Sequence, residues 1–270
     1  MGVLAEYKAK DYATFIGTFC GILAIVLAIS YEDYDAACFT VMIGMAADVL
    51  DGYIARRTQT FNELGKELDS LSDFSVFGVA PAIVAYHAYT NGLGENWTLK
   101  PIEPIVMIIP TFIFILGAIS RLAWFNVREE EGYEGLPTPL TASALCLIVL
   151  ADYFSMVYYQ HSTWFNVVCR YFVPILMVLL AYFNITEKIM YGQKVRKKSG
   201  SLKYVFIILV VAIGVLIVLS IARKKEAAVF ILSIVGILFI LLLAWIVYGF
   251  RTGFRLRKKA KKEHKMEQAA

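Results

Sequence analysis

The sequence predicts an all-α, polytopic membrane protein with about eight membrane-spanning helices. Of its 270 residues, 59% are hydrophobic and only 18% are charged, and the mean hydropathy is +0.64. Soluble domains are typically about 45–50% apolar and about 25% charged. A bilayer contains no water for the backbone, so helices are the expected spanning structure. The alternating pattern of a membrane β-barrel is not evident.

Eight apolar stretches are long enough to cross a bilayer, which takes roughly 20 residues each. They lie near 12–30, 36–55, 66–90, 103–124, 138–158, 164–186, 203–222 and 227–249. The polar run KVRKKSGSLK, at 194–203, is the best candidate boundary. We therefore predict a six-helix core domain over 1–193, a peripheral two-helix hairpin over 203–249 and a basic cytoplasmic tail over 250–270.

Basic residues predict the orientation of the chain in the cell membrane. They concentrate at the N-terminus, in the second, fourth and sixth connections and in the C-terminal tail. Cytoplasmic connections carry an excess of Lys and Arg, so both termini are expected in the cytoplasm. The run Ala222-Arg223-Lys224-Lys225-Glu226 departs from this rule. The tail suits contact with anionic membrane lipids, and no nucleic-acid partner is expected.

Four aspartates lie between two strongly apolar parts of the chain, in DVLDGYIARRTQTFNELGKELDSLSD (48–73). Asp48 and Asp51 are three residues apart, and Asp69 and Asp73 are four apart. Both spacings place a pair on one face of a helix. Carboxylates at membrane depth are costly and usually functional. The basic connection between the two helices predicts that all four lie near the cytoplasmic surface.

Four neighbouring carboxylates repel one another unless cations compensate them. Carboxylate oxygens suit Mg²⁺, Mn²⁺ or Ca²⁺, and no cluster of His or Cys favours zinc. A two-metal site is the natural interpretation, and such sites serve phosphoryl chemistry. Helix capping and surface ion pairs are the structural alternative for any single aspartate.

The run Asp48-x-x-Asp51-Gly52-x-x-Ala55-Arg56, eight residues, then Gly65-x-x-x-Asp69-x-x-x-Asp73 resembles the signature of CDP-alcohol phosphotransferases at every fixed position. The resemblance covers roughly residues 10–190. It implies a six-helix core, a homodimer, two divalent cations (Mg²⁺ or Mn²⁺) and a CDP-linked lipid substrate. It further implies metal ligation by the four aspartates and binding of the CDP-lipid by a second set: Asp48, Gly52, Ala55, Arg56 and Gly65.

Further segments resemble the phosphatidylserine synthase branch of that family, namely FCGILAI (19–25), ELGKELDSLSDFSVFGVAPAIVAY (63–86), RLAWFNV (121–127) and GLPTP (135–139). This resemblance implies transfer of a phosphatidyl group from CDP-diacylglycerol, or an ether-lipid analogue, to L-serine. Asp73 is the candidate general base. Arg121 could bind the acceptor carboxylate or the lipid phosphate, or be a helix-end cation. Asn126 could orient the acceptor or cap a turn.

Two alternatives to serine transfer stay open at this point. One is a family member with another acceptor, glycerol 3-phosphate or inositol phosphate, although an acceptor phosphate favours a richer basic pocket. The other is a cation transporter that uses the aspartates as an ion path. Transporters usually bind their ions near the bilayer midplane, which the position beside a basic connection disfavours.

Overall fold

The computed structural model describes residues 7–58, 63–93, 99–127, 133–191, 214–215 and 225–267. These residues form a bundle of long helices with one short strand pair, so the all-α prediction is confirmed. The helices are α1 Ala9–Tyr31, α2 Tyr34–Thr58, α3 Glu63–Asp73, α4 Ala80–Asn91, α5 Pro104–Val127, α6 Thr138–Tyr159, α7 Trp164–Ile185 and α8 Lys225–Glu267. The strands are β1 Tyr133–Glu134 and β2 Met190–Tyr191.

Within the described part of the chain, six segments are long and apolar enough to cross a membrane, which makes the chain an integral membrane protein. They are Asp11–Tyr31, Glu63–Asn91, Pro104–Val127, Thr138–Tyr159, Trp164–Ile185 and Ala227–Lys258. The predicted span 36–55 is a helix, α2, but it is not among the six. Its C-terminal half carries the charged residues of the aspartate motif, and these lower its hydropathy.

Helix α6 occupies the centre of the bundle. It contacts α2, α4, α7 and α8, and 67% of its most apolar window is buried. Pro137 and Pro139 flank its first residue, Thr138, as a helix start favours. α1 packs along α2, and α5 packs along α7. The remaining faces of α1, α5 and α7 expose large apolar side chains to the lipid.

The span predicted at 66–90 contains a change of helix type. A π-helical segment, Phe74–Val79, joins α3 to α4, and the backbone N–H of Ala80 donates to the carbonyl of Ser75. Pro81 follows in the first turn of α4 and has no N–H to offer to the preceding turn. Single π-helical turns occur frequently at functional sites, and this one begins directly after Asp73.

A buried polar network lies at the end of the bundle away from the aspartate motif. The Tyr89 hydroxyl donates to Asp152 Oδ2 at 2.7 Å, and Asn166 Nδ2 donates to Asp152 Oδ1 at 2.5 Å and to Ser155 Oγ at 2.7 Å. All four side chains are buried. Because its members satisfy one another, the network joins α4, α6 and α7 through hydrogen bonds made within the bundle.

The last described helix of the C-terminal region is longer than the predicted span 227–249. α8 runs without a break from Lys225 to Glu267, so the apolar span and most of the basic tail form one helix rather than separate segments meeting at 250. It packs against α6 and β2, and the Tyr191 ring stacks on Trp245 at 5.5 Å. The other predicted hairpin helix, 203–222, lies outside the described residues apart from 214–215, so the hairpin itself stays a prediction.

Candidate active site

Three of the four predicted aspartates lie together at one end of the bundle. Asp48 comes from α2, and Asp69 and Asp73 come from successive turns of α3. One carboxylate oxygen from each residue lies within 4.8 Å of the other two, and each residue is partly buried. The sequence spacing predicts the pairing within α3. The packing of α2 and α3 against α1 adds Asp48 to it.

For several other predicted site residues of this motif, the structure describes the backbone but not the side chain. The backbones of Asp51, Ala55 and Arg56 belong to α2, but their side chains lie outside the described residues. Gly52 is partly buried on α2, and Gly65 is buried on α3 one turn before Asp69. Their roles in binding the metal or the CDP-lipid therefore stay predictions.

A polar contact between α1 and α3 holds the helix that carries two of the aspartates. Ser72 lies directly before Asp73 and is buried. Its hydroxyl donates to the Thr14 carbonyl at 3.0 Å and accepts from the Thr18 hydroxyl at 3.0 Å. A Cβ on Gly17 would stand 3.2 Å from Ser72 Oγ, so the small residue permits the approach. Sequence reasoning missed Ser72, although the glycines at 17 and 21 of α1 were a possible signal of a close helix contact.

Two further glycines allow close packing against the π-helical segment that follows Asp73. A Cβ on Gly21 of α1 would lie 3.2 Å from the Val76 Cα, and a Cβ on Gly44 of α2 would lie 2.7 Å from the Val76 Cγ1. The backbones of both helices therefore approach this segment closely. The contacts fix where α3 ends and hence the height of Asp73 in the bundle.

Helix α5 brings the two predicted acceptor residues to the same end. Asn126 Nδ2 donates to the Ser70 hydroxyl at 2.8 Å, and Ser70 immediately follows Asp69. Asn126 thus tethers α5 to α3 and is partly exposed. Arg121 is only 6% exposed, with its guanidinium carbon 5.4 Å from the centre of the Phe125 ring. A cation so deeply buried is not a helix-end side chain extended into the headgroup region.

The GLPTP segment packs over the C-terminal end of α7. Gly135 has φ +75°, and its N–H donates to the Ile189 carbonyl at 2.9 Å. The N–H of the fully buried Leu136 donates to the Phe183 carbonyl at 2.8 Å. The pairing of β1 with β2 continues this contact. The first half of the motif therefore has a structural role. It also packs beside Arg121, whose Nε would lie 3.5 Å from a Cβ on Gly135.

A comparison with known families decides the identity of the aspartate motif. The sequence model of the CDP-alcohol phosphatidyltransferase family matches residues 11–159, more than half of the chain. The chain belongs to this family. The match extends from α1 to the end of α6 and includes every member of the aspartate cluster.

Several curated relatives indicate which members of the family the chain is similar to. The chain is 36% identical over 139 residues to "CDP-diacylglycerol--serine O-phosphatidyltransferase" of Methanocaldococcus jannaschii, a match that covers 52% of this chain and 58% of that protein. It is 36% identical over 150 residues to a protein of the same name in Helicobacter pylori, covering 54% and 59%. It is 33% identical over 149 residues to "Archaetidylserine synthase" of Methanothermobacter thermautotrophicus, covering 54% and 59%. The chain thus matches less than two thirds of these relatives' lengths.

The donor set of the cluster fits a hard divalent cation. It consists of carboxylate oxygens only, and such oxygens are the preferred ligands of Mg²⁺ and Mn²⁺. Three carboxylates this close repel one another in the absence of a compensating positive charge. The geometry therefore suits metal binding, as the motif predicts.

Proposed function

We propose that this protein is an enzyme that transfers the phosphatidyl group of CDP-diacylglycerol to the hydroxyl of L-serine, giving phosphatidylserine and CMP. The convergence of Asp48, Asp69 and Asp73 carries the proposal, because it places the family's signature carboxylates within reach of one bound group. Serine as the acceptor is supported by the names of the relatives. The archaetidylserine synthase among them keeps an ether-linked CDP-lipid as an alternative donor.

The four aspartates would hold two divalent cations, Mg²⁺ or Mn²⁺. When bound, the cations neutralise negative charge on the CDP diphosphate and orient it. On α2, Gly52 and Ala55 leave room for the nucleotide, and Arg56 supplies a cation for a phosphate. On α3, Gly65 also leaves room for the nucleotide, because the absence of a side chain permits close approach.

The chain's own residues would bind the acceptor and accept its proton. Asp73 takes the proton of the serine hydroxyl, whose oxygen forms a bond to the β-phosphorus, the phosphorus that bears diacylglycerol. The bond from that phosphorus to the bridging oxygen breaks, and CMP leaves with the electron pair. Arg121, held in a buried position beside Phe125, would bind a carboxylate or phosphate oxygen. Asn126 keeps α5 fixed to α3 through Ser70.

We propose that the site faces the cytoplasm and that both termini lie there. Basic residues at the aspartate end of the bundle support this orientation: Lys8, Lys66, Lys188, Arg251, Arg255, Arg257 and Lys258. Cytoplasmic ends carry such an excess. Soluble serine could then enter and CMP leave while the lipid tails stay in the bilayer. We also propose a homodimer, which rests on the family alone.

A headgroup-transfer assay tests the function directly. Purified protein in detergent receives CDP-diacylglycerol, Mg²⁺ or Mn²⁺, and either L-serine, glycerol 3-phosphate or inositol phosphate, and CMP release is recorded. We expect release with serine only, abolished by EDTA and reduced at least about 100-fold in Asp73→Asn. Asp33→Asn is the matched control, because Asp33 caps α2 at the opposite end and Asn caps equally well.

The other outcomes separate the alternatives. Release with a different alcohol would keep the family and reject serine. Absence of release with every acceptor, with both metals and with an ether-linked CDP-lipid, in folded protein, would reject the transferase proposal and favour the ion-transport alternative.

A further inference from the structure

Asn184 is a buried polar side chain whose hydrogen-bonding groups are not used within the described residues. It lies in the last turn of α7 and is 1% exposed. Neither its Nδ2 nor its Oδ1 has a hydrogen-bond partner in the described part of the chain. Leaving a buried amide unsatisfied costs free energy, and buried side-chain polar groups are therefore generally hydrogen-bonded. The amide thus calls for a polar partner other than the described protein groups.

The packing of α5 places Asn184 at the height of the aspartate cluster. A Cβ on Gly117 of α5 would lie 2.7 Å from the Ala181 Cα of α7, so these two residues are level. On the other side of α5, a Cβ on Gly78 would lie 3.2 Å from the Ala118 Cβ. One helical turn nearer to the aspartate end of the bundle, Arg121 lies on α5 and Asn184 lies on α7. The chain preceding Gly78 reaches Asp73 at the same end.

Arg121 and Asn184 meet at the same backbone segment. A Cβ on Gly135 would overlap the backbone carbonyl of Asn184 and would lie 3.5 Å from the Arg121 Nε. The loop therefore lies directly against both residues. Arg121 and Asn184, both buried, thus lie at one junction, between α5, α7 and the loop that leads into α6.

We propose that Asn184 and Arg121 together bind the ammonium and carboxylate groups of an amino-acid acceptor. This inference rests on the proposed function and adds the residue that selects the acceptor's chemical class. A guanidinium donates to a carboxylate but cannot accept a hydrogen bond from an ammonium group, whereas an amide does both. Asn184 Oδ1 would accept from the ammonium group and its Nδ2 would donate to the carboxylate. Acceptors without an ammonium group, such as glycerol 3-phosphate, offer Oδ1 only a neutral hydroxyl donor, whose hydrogen bond is weaker than that of a charged donor, and are disfavoured.

The experiment separates binding of the amino-acid part from the transfer reaction. L-Alanine carries the same ammonium and carboxylate groups as serine but has no hydroxyl, so it should inhibit competitively with serine. We expect Asn184→Leu to raise both the KM for serine and the inhibition constant of alanine by about 10- to 100-fold, the loss expected for hydrogen bonds to charged groups. The KM for CDP-diacylglycerol should not change.

A purely structural role for Asn184 predicts a different pattern. Leucine has a similar shape and removes the unsatisfied amide, so Asn184→Leu should keep or raise the thermal unfolding midpoint. Asn166→Leu is the matched control, since it changes a buried Asn on the same helix that is fully bonded at the opposite end. It should lower the midpoint and leave the KM for serine unchanged. If Asn184→Leu does not purify as folded protein, Asn184→Asp tests the carboxylate half of the contact, because it replaces the Nδ2 donor with an acceptor and should still raise both constants.

The results distinguish this inference from the proposed function. A wild-type protein that does not use serine would reject the proposed function. A wild type that uses serine, with Asn184 variants whose serine and alanine constants are unchanged, would overturn the inference alone. Equal rises in the constants for serine and CDP-diacylglycerol would also overturn it, because they would indicate a general distortion of the site.

Discussion

Replacement of Gly135 by alanine should destabilise the protein more than the same change at a glycine with open space around it. Gly135 has φ +75°, which costs an L-residue roughly 1–2 kcal/mol. The added methyl group would also overlap the Asn184 carbonyl, which is backbone and cannot rotate away. The loop must therefore shift.

A shift of this loop should break two backbone hydrogen bonds, from Gly135 to the Ile189 carbonyl and from Leu136 to the Phe183 carbonyl. Each contributes about 0.5–1.5 kcal/mol. Together with the backbone strain, the expected loss in the free energy of unfolding is roughly 2–5 kcal/mol. For a chain of this size, about 2–4 °C per kcal/mol gives a fall of at least about 4 °C in the thermal midpoint.

The measurement is thermal unfolding of the purified protein in detergent, with Gly236→Ala as the matched control. A Cβ on Gly236, within α8, would meet nothing within 4 Å. That variant should be neutral or stabilised by up to about 1 kcal/mol, because alanine favours the helix. Equal midpoints for Gly135→Ala and the wild type would refute the reasoning and show that the loop is not fixed against α7.

Three further predictions concern other contacts of the bundle. Ser72→Ala removes two hydrogen bonds to α1 and should weaken the binding of Mn²⁺ by about tenfold, as measured by electron paramagnetic resonance. An unchanged Mn²⁺ affinity would mean that Ser72 does not position Asp73. Asp152→Ala leaves the buried Tyr89 hydroxyl without its acceptor, while Asn166 keeps Ser155 and the backbone carbonyl of residue 152 as partners. It should cost about 1–3 kcal/mol in unfolding experiments, and any folded fraction should keep its specific transfer activity. Arg257→Ala removes an exposed contact with Glu187 in the α7–β2 connection and should lower the free energy of unfolding by less than about 1 kcal/mol. A larger loss would indicate that this contact anchors the end of α8.

The sequence predicted the elements whose signal is local. Apolar runs of membrane length gave the positions of the spanning helices, because a helix in lipid satisfies its own backbone within about 20 residues. The four-residue spacing of Asp69 and Asp73 placed both carboxylates on one face of α3, and the prolines of GLPTP indicated the start of α6. Within these short ranges the helix period alone decides which side chains are neighbours.

The strand pair and the π-helical segment were not predicted. Two-residue strands have no periodicity to detect, and β1 meets a partner almost 60 residues away. The π-helical segment keeps the hydropathy of a continuous span, so only its hydrogen bonds reveal it. The continuation of α8 through 250 was also missed, because the change from apolar to basic residues marks where the helix leaves the lipid and not where it ends.

Tertiary structure decided which residues surround the aspartates. Ser72 contacts α1 across 54 to 58 positions, and Asn126 reaches Ser70 across 56. Asn184 gains its significance only from being buried beside Gly135 and Arg121. Such contacts depend on how whole helices pack, and close approach at small residues determines that packing. The sequence by itself therefore determined the membrane class, the helices and the aspartate motif. The packing of α1 and α5 against α3, and of α7 against α5, determined the surroundings in which those carboxylates lie.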